Sequence, residues 1–305
     1  MQINAQPGWA VATVALGAIA LVLGRPTDAP LPPDPPLVVA VQGAECSVAV
    51  IGDYGDAGPA EAAVAKQVAS WDPDFIVTLG DNNYPRGAAS TIDANIGQYY
   101  SRFIHPYRGA FGDGAAHNRF FPSLGNHDWR THAAAPYLEY FELPGNERYY
   151  DVRWGPVHLF AIDSDRREPD SILADGTQAQ WLRRSLEASD APWKLVYMHH
   201  PPYSSGEHGG AEVMRWPFAQ WGADAVLAGH DHHYERLERD GIVYFVMGVS
   251  GSPKQYAIRE IDPASKVRVT DVWGAMAIDA NAEAITLRFV GVDGVERDSV
   301  TLRQP

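Results

Sequence analysis

The chain has 305 residues, of which 24 are Lys or Arg and 38 are Asp or Glu, so its formal net charge is −14. This length allows one large domain with a substantial core, and the acidic balance disfavours a nucleic-acid scaffold, whose phosphates attract basic surfaces. The only cysteine, Cys46, excludes an intrachain disulfide and is expected to be a small core residue of a strand.

The N-terminus is apolar. Residues 1–24 carry no charged side chain, and Trp9 to Gly24 is a run without charged or amide groups. This pattern predicts a signal peptide or an N-terminal membrane anchor, and therefore an exported protein that is secreted, periplasmic or tethered to a membrane. Six prolines in residues 25–36 predict an extended linker, and residues 37–305 are expected to form a single domain.

Short apolar runs and amphipathic segments alternate through the first part of this domain. Two helices are predicted, one from Pro59 to Trp71 with proline in its first turn, and one from Thr177 to Ser189 with Thr177 and Gln180 as a capping box. This alternation favours an α/β layered fold. The apolar runs predict buried strands at residues 46–51, 75–79, 119–124, 157–162, 194–198 and 224–228.

The pattern changes to β-rich sequence beyond about residue 235. Asp240-Gly241 and Asp293-Gly294 lie between apolar runs, which is a hairpin signal. Residues 267–278 and 284–290 are predicted to be further strands. We expect this end of the chain to form an antiparallel second sheet that packs on the first.

Five predicted strands of the first part end in the same kind of residue. Ligands of open α/β sheets bind at the carboxyl ends of the strands, so these side chains are expected to converge on one crevice. Each alone is a common turn residue, but five in order are hard to produce by chance. The strand ends carry Asp53, Asp81, Asn126, His199, and the pair His230 and His232.

The ordered blocks resemble the five-block signature of the calcineurin-like metallophosphoesterases. Tyr84, three residues after Asp81, makes them similar to the purple acid phosphatases of the bacterial, tartrate-resistant type. This resemblance implies an α/β fold in which two mixed β-sheets, flanked by helices, form a four-layer αββα sandwich. The blocks are Asp53, Gly80-Asp81-Asn82-Asn83-Tyr84, Gly125-Asn126-His127, Val196-Tyr197-Met198-His199 and Gly229-His230-Asp231-His232.

The resemblance also implies a centre of two metal ions. Each ion would have its own set of ligands. The ligand set that is rich in oxygen atoms would suit Fe(III), and the ligand set that contains two imidazoles would suit Fe(II), Zn(II) or Mn(II). Asp81 would bridge the two ions. The first ion would be bound by Asp53, Asp81, Tyr84 and His232, and the second by Asp81, Asn126, His199 and His230.

The implied activity is hydrolysis of small phosphate monoesters. A metal-bound hydroxide would attack phosphorus, and His127 would assist the leaving group. Glu207-His208 resembles a pair that faces the substrate in mammalian-type enzymes, which gives His208 either a substrate-side role or that of a solvent-exposed loop histidine. Two alternatives remain: a phosphodiesterase or nucleotide pyrophosphatase on the same site, and an exported binding protein that keeps the metals without turnover.

The remaining polar residues near these blocks are expected to have lesser roles. His200 is predicted to point away from the site, because neighbours on an extended chain face opposite sides. Asp128 and Asp231 are expected to support the ligand loops, and His233 has no predicted role. The sequence predicts neither the natural substrate nor the oligomeric state. Surface or core positions are predicted for His105, His117, His132 and His158.

Overall fold

A computed structural model describes residues 1, 37–39 and 44–304 of the chain. The predicted apolar segment 1–24 and the proline-rich linker 25–36 lie outside these residues, apart from Met1. Among the described residues, no helix combines the length and the apolar character needed to cross a membrane.

The described residues form two β-sheets with helices around them. The strands are β1 (Leu37–Val39), β2 (Cys46–Ile51), β3 (Phe75–Thr78), β4 (Phe120–Pro122), β5 (Tyr150–Trp154), β6 (Val157–Ala161), β7 (Trp193–Tyr197), β8 (Ala225–Ala228), β9 (Tyr234–Arg239), β10 (Ile242–Met247), β11 (Ser265–Val269), β12 (Gly274–Ala280), β13 (Ala284–Gly291) and β14 (Glu296–Arg303).

The helices are short, and only two of them exceed three turns. They are α1 (Pro59–Trp71), α2 (Ala89–Ile92), α3 (Gln98–Tyr100), α4 (Ala135–Tyr140), α5 (Thr177–Ala188) and α6 (Phe218–Trp221). Shorter turns of 3-10 or π helix span Asp93–Gly97, Ser101–Phe103, Asp128–Arg130, His132–Ala134 and Glu212–Met214.

Both sheets are mixed. The larger has the spatial order β1-β5-β6-β7-β8-β10-β9-β11, in which β6, β7, β8 and β10 run parallel. The smaller has the order β14-β13-β12-β2-β3-β4, in which β2, β3 and β4 run parallel and β12 pairs antiparallel to β2. Two mixed sheets with flanking helices are the architecture that the sequence predicted.

The central strands β3, β6 and β8 are buried on both faces, which explains their nearly continuous apolar sequences. In β7, Leu195 and Tyr197 belong to the core cluster that also contains residues of the smaller sheet, such as Val50. Val196, between them, faces a second cluster that includes Leu182 of α5. Helix α5 therefore covers the outer face of the larger sheet, and α1 contacts β12 of the smaller one.

The C-terminal part does not form a sheet of its own, so that expectation is wrong. The predicted strand 267–278 is two strands: β11 pairs with β9 in the larger sheet, and β12 pairs with β2 in the smaller. The chain crosses from one sheet to the other over residues 270–273. The alternation of apolar and polar residues indicates which face of a strand is buried, but it does not indicate which sheet the strand joins. The crossing from one sheet to the other therefore has no local sequence signal.

Some local sequence signals predicted the structure correctly, and others did not. Helix α1 begins at Pro59, as predicted, and Asp240-Gly241 joins β9 to β10 with φ angles of 56° and 84°, as a tight hairpin requires. The prediction of a capping box is wrong, because the helix begins at Thr177 itself, after Gly176. The side-chain amide of Gln180 instead donates to the carbonyl of Asp175. Cys46 is buried in β2, and burial raises the pKa of its thiol to about 12.

Candidate metal centre

The predicted ligand residues meet at one edge of the molecule, but they come from both sheets. Asp53, Asp81 and Asn126 follow β2, β3 and β4 of the smaller sheet, and the histidines follow β7 and β8 of the larger. The backbone amide of His230 donates to Oδ2 of Asp53 at 2.8 Å. This hydrogen bond joins the two groups of loops directly.

The hydroxyl of Tyr84 lies at the centre of the first predicted ligand set. It is 3.1 Å from Oδ1 of Asp53, 3.1 Å from Oδ2 of Asp81 and 3.2 Å from Nε2 of His232. Burial raises the pKa of this phenol well above its ordinary value, and the two carboxylates raise it further. Phenol, carboxylates and imidazole therefore converge as a cation would require, and in the described part of the chain neither carboxylate has a Lys or Arg partner.

The second predicted set is equally close. Nε2 of His199 is 3.0 Å from Oδ1 of Asn126, 3.2 Å from Nδ1 of His230 and 3.5 Å from Oδ1 of Asp81. Asp81 thus directs one carboxylate oxygen to each set. Its position between them is the one expected of a bridging ligand.

Hydrogen bonds to backbone carbonyls orient two of the imidazoles. Nδ1 of His199 lies 2.9 Å from the carbonyl of Leu79, and Nδ1 of His232 lies 2.7 Å from the carbonyl of Lys254. A carbonyl accepts from Nδ1–H, so in the neutral form of each ring the lone pair is on Nε2, which is directed into the site. Both rings are therefore prepared to act as ligands.

The loops that carry the ligands are strained. Asp53, Asp81 and His230 adopt left-handed backbone conformations with φ of 52°, 51° and 70°. Such angles are uncommon for residues other than glycine and cluster at functional sites. Gly125 permits the close packing that accompanies them, because a Cβ there would lie 2.1 Å from the backbone nitrogen of Asp81.

His127 lies at the rim of the site. Its backbone amide donates to Oδ1 of Asp81 at 2.8 Å, and its Nδ1 is 2.8 Å from the carbonyl of Pro85. Its ring packs edge-on against Tyr84 with centroids 4.5 Å apart. Burial lowers the pKa of His127, although Asp81 opposes this effect. The ring is fixed at Nδ1, and Nε2 is left to face an incoming group.

His208 is brought to the site by its loop. Its ring stacks on that of His230 with centroids 4.5 Å apart, and its backbone amide donates to Oδ1 of Asp231 at 2.9 Å. Glu207, its neighbour, instead contacts Arg259 at 3.2 Å. His208 is exposed and adjoins the predicted ligand His230, a position that fits both predicted alternatives.

The expectation for His200 is wrong. Its ring lies 4.5 Å from that of His230 and 4.9 Å from that of His199, and these three histidines could together hold a metal ion. The reason is that β7 ends at Tyr197, so strand alternation does not extend to residues 199 and 200. Burial lowers the pKa of His200 to about 3, which keeps the ring neutral.

Sequence reasoning missed Tyr256. Its ring stacks on His232 with centroids 4.2 Å apart and an angle of 4°, and it contacts His208 edge-on. It lies in a loop without a motif, and nothing in the local sequence distinguishes it from other tyrosines.

Several buried polar residues hold the ligand loops in place. Oδ2 of Asp128 accepts hydrogen bonds from Asn82 and from the amide of Gly125. Asp231 accepts from Ser204 as well as from His208. The histidines outside the blocks lie apart from these loops: His158 is buried, whereas His105, His117 and His132 are exposed.

Comparison with known proteins shows the family of the chain. The family model described as calcineurin-like phosphoesterase matches residues 46–234. Purple acid phosphatase 17 of Arabidopsis thaliana is 28% identical over 243 residues, which cover 68% of this chain and 68% of the relative. Tartrate-resistant acid phosphatase type 5 of Homo sapiens is 26% identical over 289 residues, covering 80% and 86%.

Solved structures share the fold. A purple acid phosphatase from yellow lupin seeds superposes with a TM-score of 0.68 at 18% identity, covering 86% of this chain and 54% of that one. The anchor protein of the inner membrane complex of Plasmodium superposes with a TM-score of 0.66 at 16% identity, covering 86% and 89%. The match therefore spans about half of the lupin enzyme.

Proposed function

Since the chain belongs to the calcineurin-like phosphoesterase family and is an acid phosphatase-like hydrolase, we propose that it cleaves small phosphate monoesters with two metal ions. The observation that supports this most is the Tyr84 hydroxyl, which lies within 3.2 Å of Asp53, Asp81 and His232. Phenolate and carboxylate oxygens are hard donors, and together they suit a hard cation such as Fe(III).

We propose that the two ligand sets hold one ion each. Asp53, Asp81, Tyr84 and His232 would hold the first, for which we propose Fe(III). Asp81, Asn126, His199 and His230 would hold the second, which we propose to be Fe(II), Zn(II) or Mn(II). The chemistry that a bound pair supplies is positive charge, which neutralises the phosphate and acidifies a water molecule.

The chain's own side chains would complete the reaction. In its protonated form, His127 would give the proton on Nε2 to the leaving oxygen, while Nδ1–H stays bonded to the carbonyl of Pro85. His208, stacked on His230, would contact the substrate from the opposite loop. We also propose that the protein is exported, on the strength of the apolar residues 9–24.

The test is to purify the full chain, measure bound metals and the visible spectrum, and compare an aryl phosphate monoester with its diester. We expect iron, a visible charge-transfer band and faster hydrolysis of the monoester. Tyr84→Phe should lose the band, whereas Tyr256→Phe, which keeps the ring stacked on His232 and removes only a hydroxyl without a hydrogen bond to the predicted ligands, should keep it. A protein without metal and without either activity would contradict the proposal, and a preference for the diester would replace it with the phosphodiesterase alternative.

A further inference from the structure

A cleft of about 580 Å³ adjoins the candidate metal centre on the side of Asn126 and His200. Its volume lies in the range of clefts that bind small molecules. Part of its wall is formed by arginine side chains and part by apolar residues. The arginines are Arg130, Arg166 and Arg167, and the apolar residues are Ile172, Ala211 and Val213.

The cleft is continuous with the reaction site. Asn126, a predicted metal ligand, lines it, and His200 in its wall is 4.5 Å from His230. Arg130 and His127 share an acceptor, because Nη1 of Arg130 donates at 3.1 Å to the carbonyl of Pro85 that also faces Nδ1 of His127. A phosphate ester at the metals would therefore extend its leaving group along this wall.

The charge of the cleft is opposite to that of the whole molecule. Arg167 is held by Asp165 through two hydrogen bonds of 2.7 and 2.8 Å, and it also donates to the carbonyl of Asn126. Asp165 is the only carboxylate among the lining residues, and this pair occupies it. Within residues 44–304, neither Arg130 nor Arg166 forms an ion pair, so two positive charges face the cleft without compensation.

We propose that this cleft binds a second anionic group, a carboxylate or a phosphate, on the leaving group of the substrate. Guanidinium groups match both anions in geometry and charge, and the apolar residues would contact the carbon chain between the two anionic ends. The inference rests on the proposed function, because it places the scissile phosphate at the metals.

The test uses three esters with the same three-carbon leaving group: one ending in a hydroxyl, one in a carboxylate and one in a second phosphate. The full-length metal-loaded protein should show the highest kcat/KM for one or both of the anionic esters. In the double variant Arg130→Gln, Arg166→Gln, the ratio of kcat/KM for the anionic to the neutral ester should fall roughly tenfold. Arg183→Gln, on the exposed face of α5, is the matched control and should leave this ratio unchanged.

The outcomes separate the two proposals. A preference for the carboxylate ester alone, or for the bisphosphate alone, would identify the anion, and either supports the inference. If the neutral ester is hydrolysed as well as the others, and the double variant does not change the ratio, the inference is overturned while the phosphatase proposal stands. If none of the three is hydrolysed, both are overturned. The wild-type preference should also weaken at high salt, because the arginines are exposed.

Discussion

Two hydrogen bonds hold His127 in place, and they involve different parts of the residue. The backbone amide binds Asp81, and the ring binds the carbonyl of Pro85. A substitution that removes only the ring leaves the contact to Asp81 in place. Proton donation and metal retention can therefore be separated at this residue.

We predict that His127→Ala lowers kcat by about 10²- to 10⁴-fold, the usual contribution of a general acid, while the metal content stays that of the wild type. Steady-state kinetics with metal analysis of the same sample measure both. His105→Ala is the control, because His105 is exposed and lies apart from the predicted ligands. Wild-type kcat in His127→Ala, or loss of metal from it, would refute the assigned role.

At this scale, the sequence predicted the residues that sit in motifs and missed those placed by loops. Each predicted ligand follows a strand within a few residues, so its direction is set by the local chain. Tyr256 reaches the centre through the packing of a longer loop against it, and His200 faces the centre because β7 ends at Tyr197 and strand alternation stops there. Such packing depends on contacts far apart in sequence, which a single sequence does not reveal.

Strand β9 holds the loop that carries His208 in place through hydrogen bonds. Glu235 of β9 accepts hydrogen bonds from the amide of Ser205 at 2.8 Å and from its hydroxyl at 2.5 Å, and it lies 3.2 Å from Nε2 of His233. Burial alone would raise the pKa of Glu235, but the hydrogen bonds outweigh it and hold the pKa below its ordinary value. His233, which had no predicted role, thus supports this carboxylate.

We predict that Glu235→Gln destabilises the fold by about 2 kcal/mol, because it weakens charge-assisted hydrogen bonds in a buried position. Since the folded pKa is lowered, the ionised carboxylate stabilises the wild type above its unfolded pKa, and this contribution is lost as pH falls through the folded value. The variant should therefore lose less stability on acidification. Unfolding curves as a function of pH, with amide exchange at residues 204–208, measure this effect.

The matched control for this element is Glu187→Gln, on the exposed side of α5. It should change neither the stability nor the exchange of residues 204–208. Equal acid sensitivity in wild type and Glu235→Gln would show that the carboxylate does not hold the loop.

At the scale of the whole molecule, buried negative charge lies where the loops of the two sheets meet. Asp53 and Asp81 are buried there, and only histidines neutralise them among the described residues. Bound cations would remove this repulsion, and a ligand that binds only the folded state stabilises it by mass action. The metals are therefore expected to contribute to stability as well as to catalysis.

We predict that removing the metals with a chelator abolishes hydrolysis and lowers the melting temperature by roughly 5–10 °C, as expected for a loss of about 3 kcal/mol in a domain of this size. Iron together with zinc should restore both properties, whereas magnesium, which prefers all-oxygen sites, should not. Calorimetry and activity assays on one preparation provide the measurement. Full activity in metal-free protein would contradict the two-metal proposal.

At the scale of the molecule, the sequence predicted the fold class but not the distribution of strands. The resemblance implied two mixed sheets, and the structure has them. The expected second sheet from the C-terminus is absent from the described residues, because β9 to β11 extend the larger sheet and β12 to β14 extend the smaller. Strand pairing over long distances decides this distribution, and local apolar patterns do not encode it.

The hydrogen bond between His230 and Asp53 has a consequence for how the chain becomes active. Its partners are 177 residues apart in sequence and belong to loops of different sheets. The bond can form only when the loops of both sheets are in place, and the smaller sheet itself needs the distant strands β2 and β12 to pair. During refolding, activity should therefore not return before the circular dichroism of the strands has recovered.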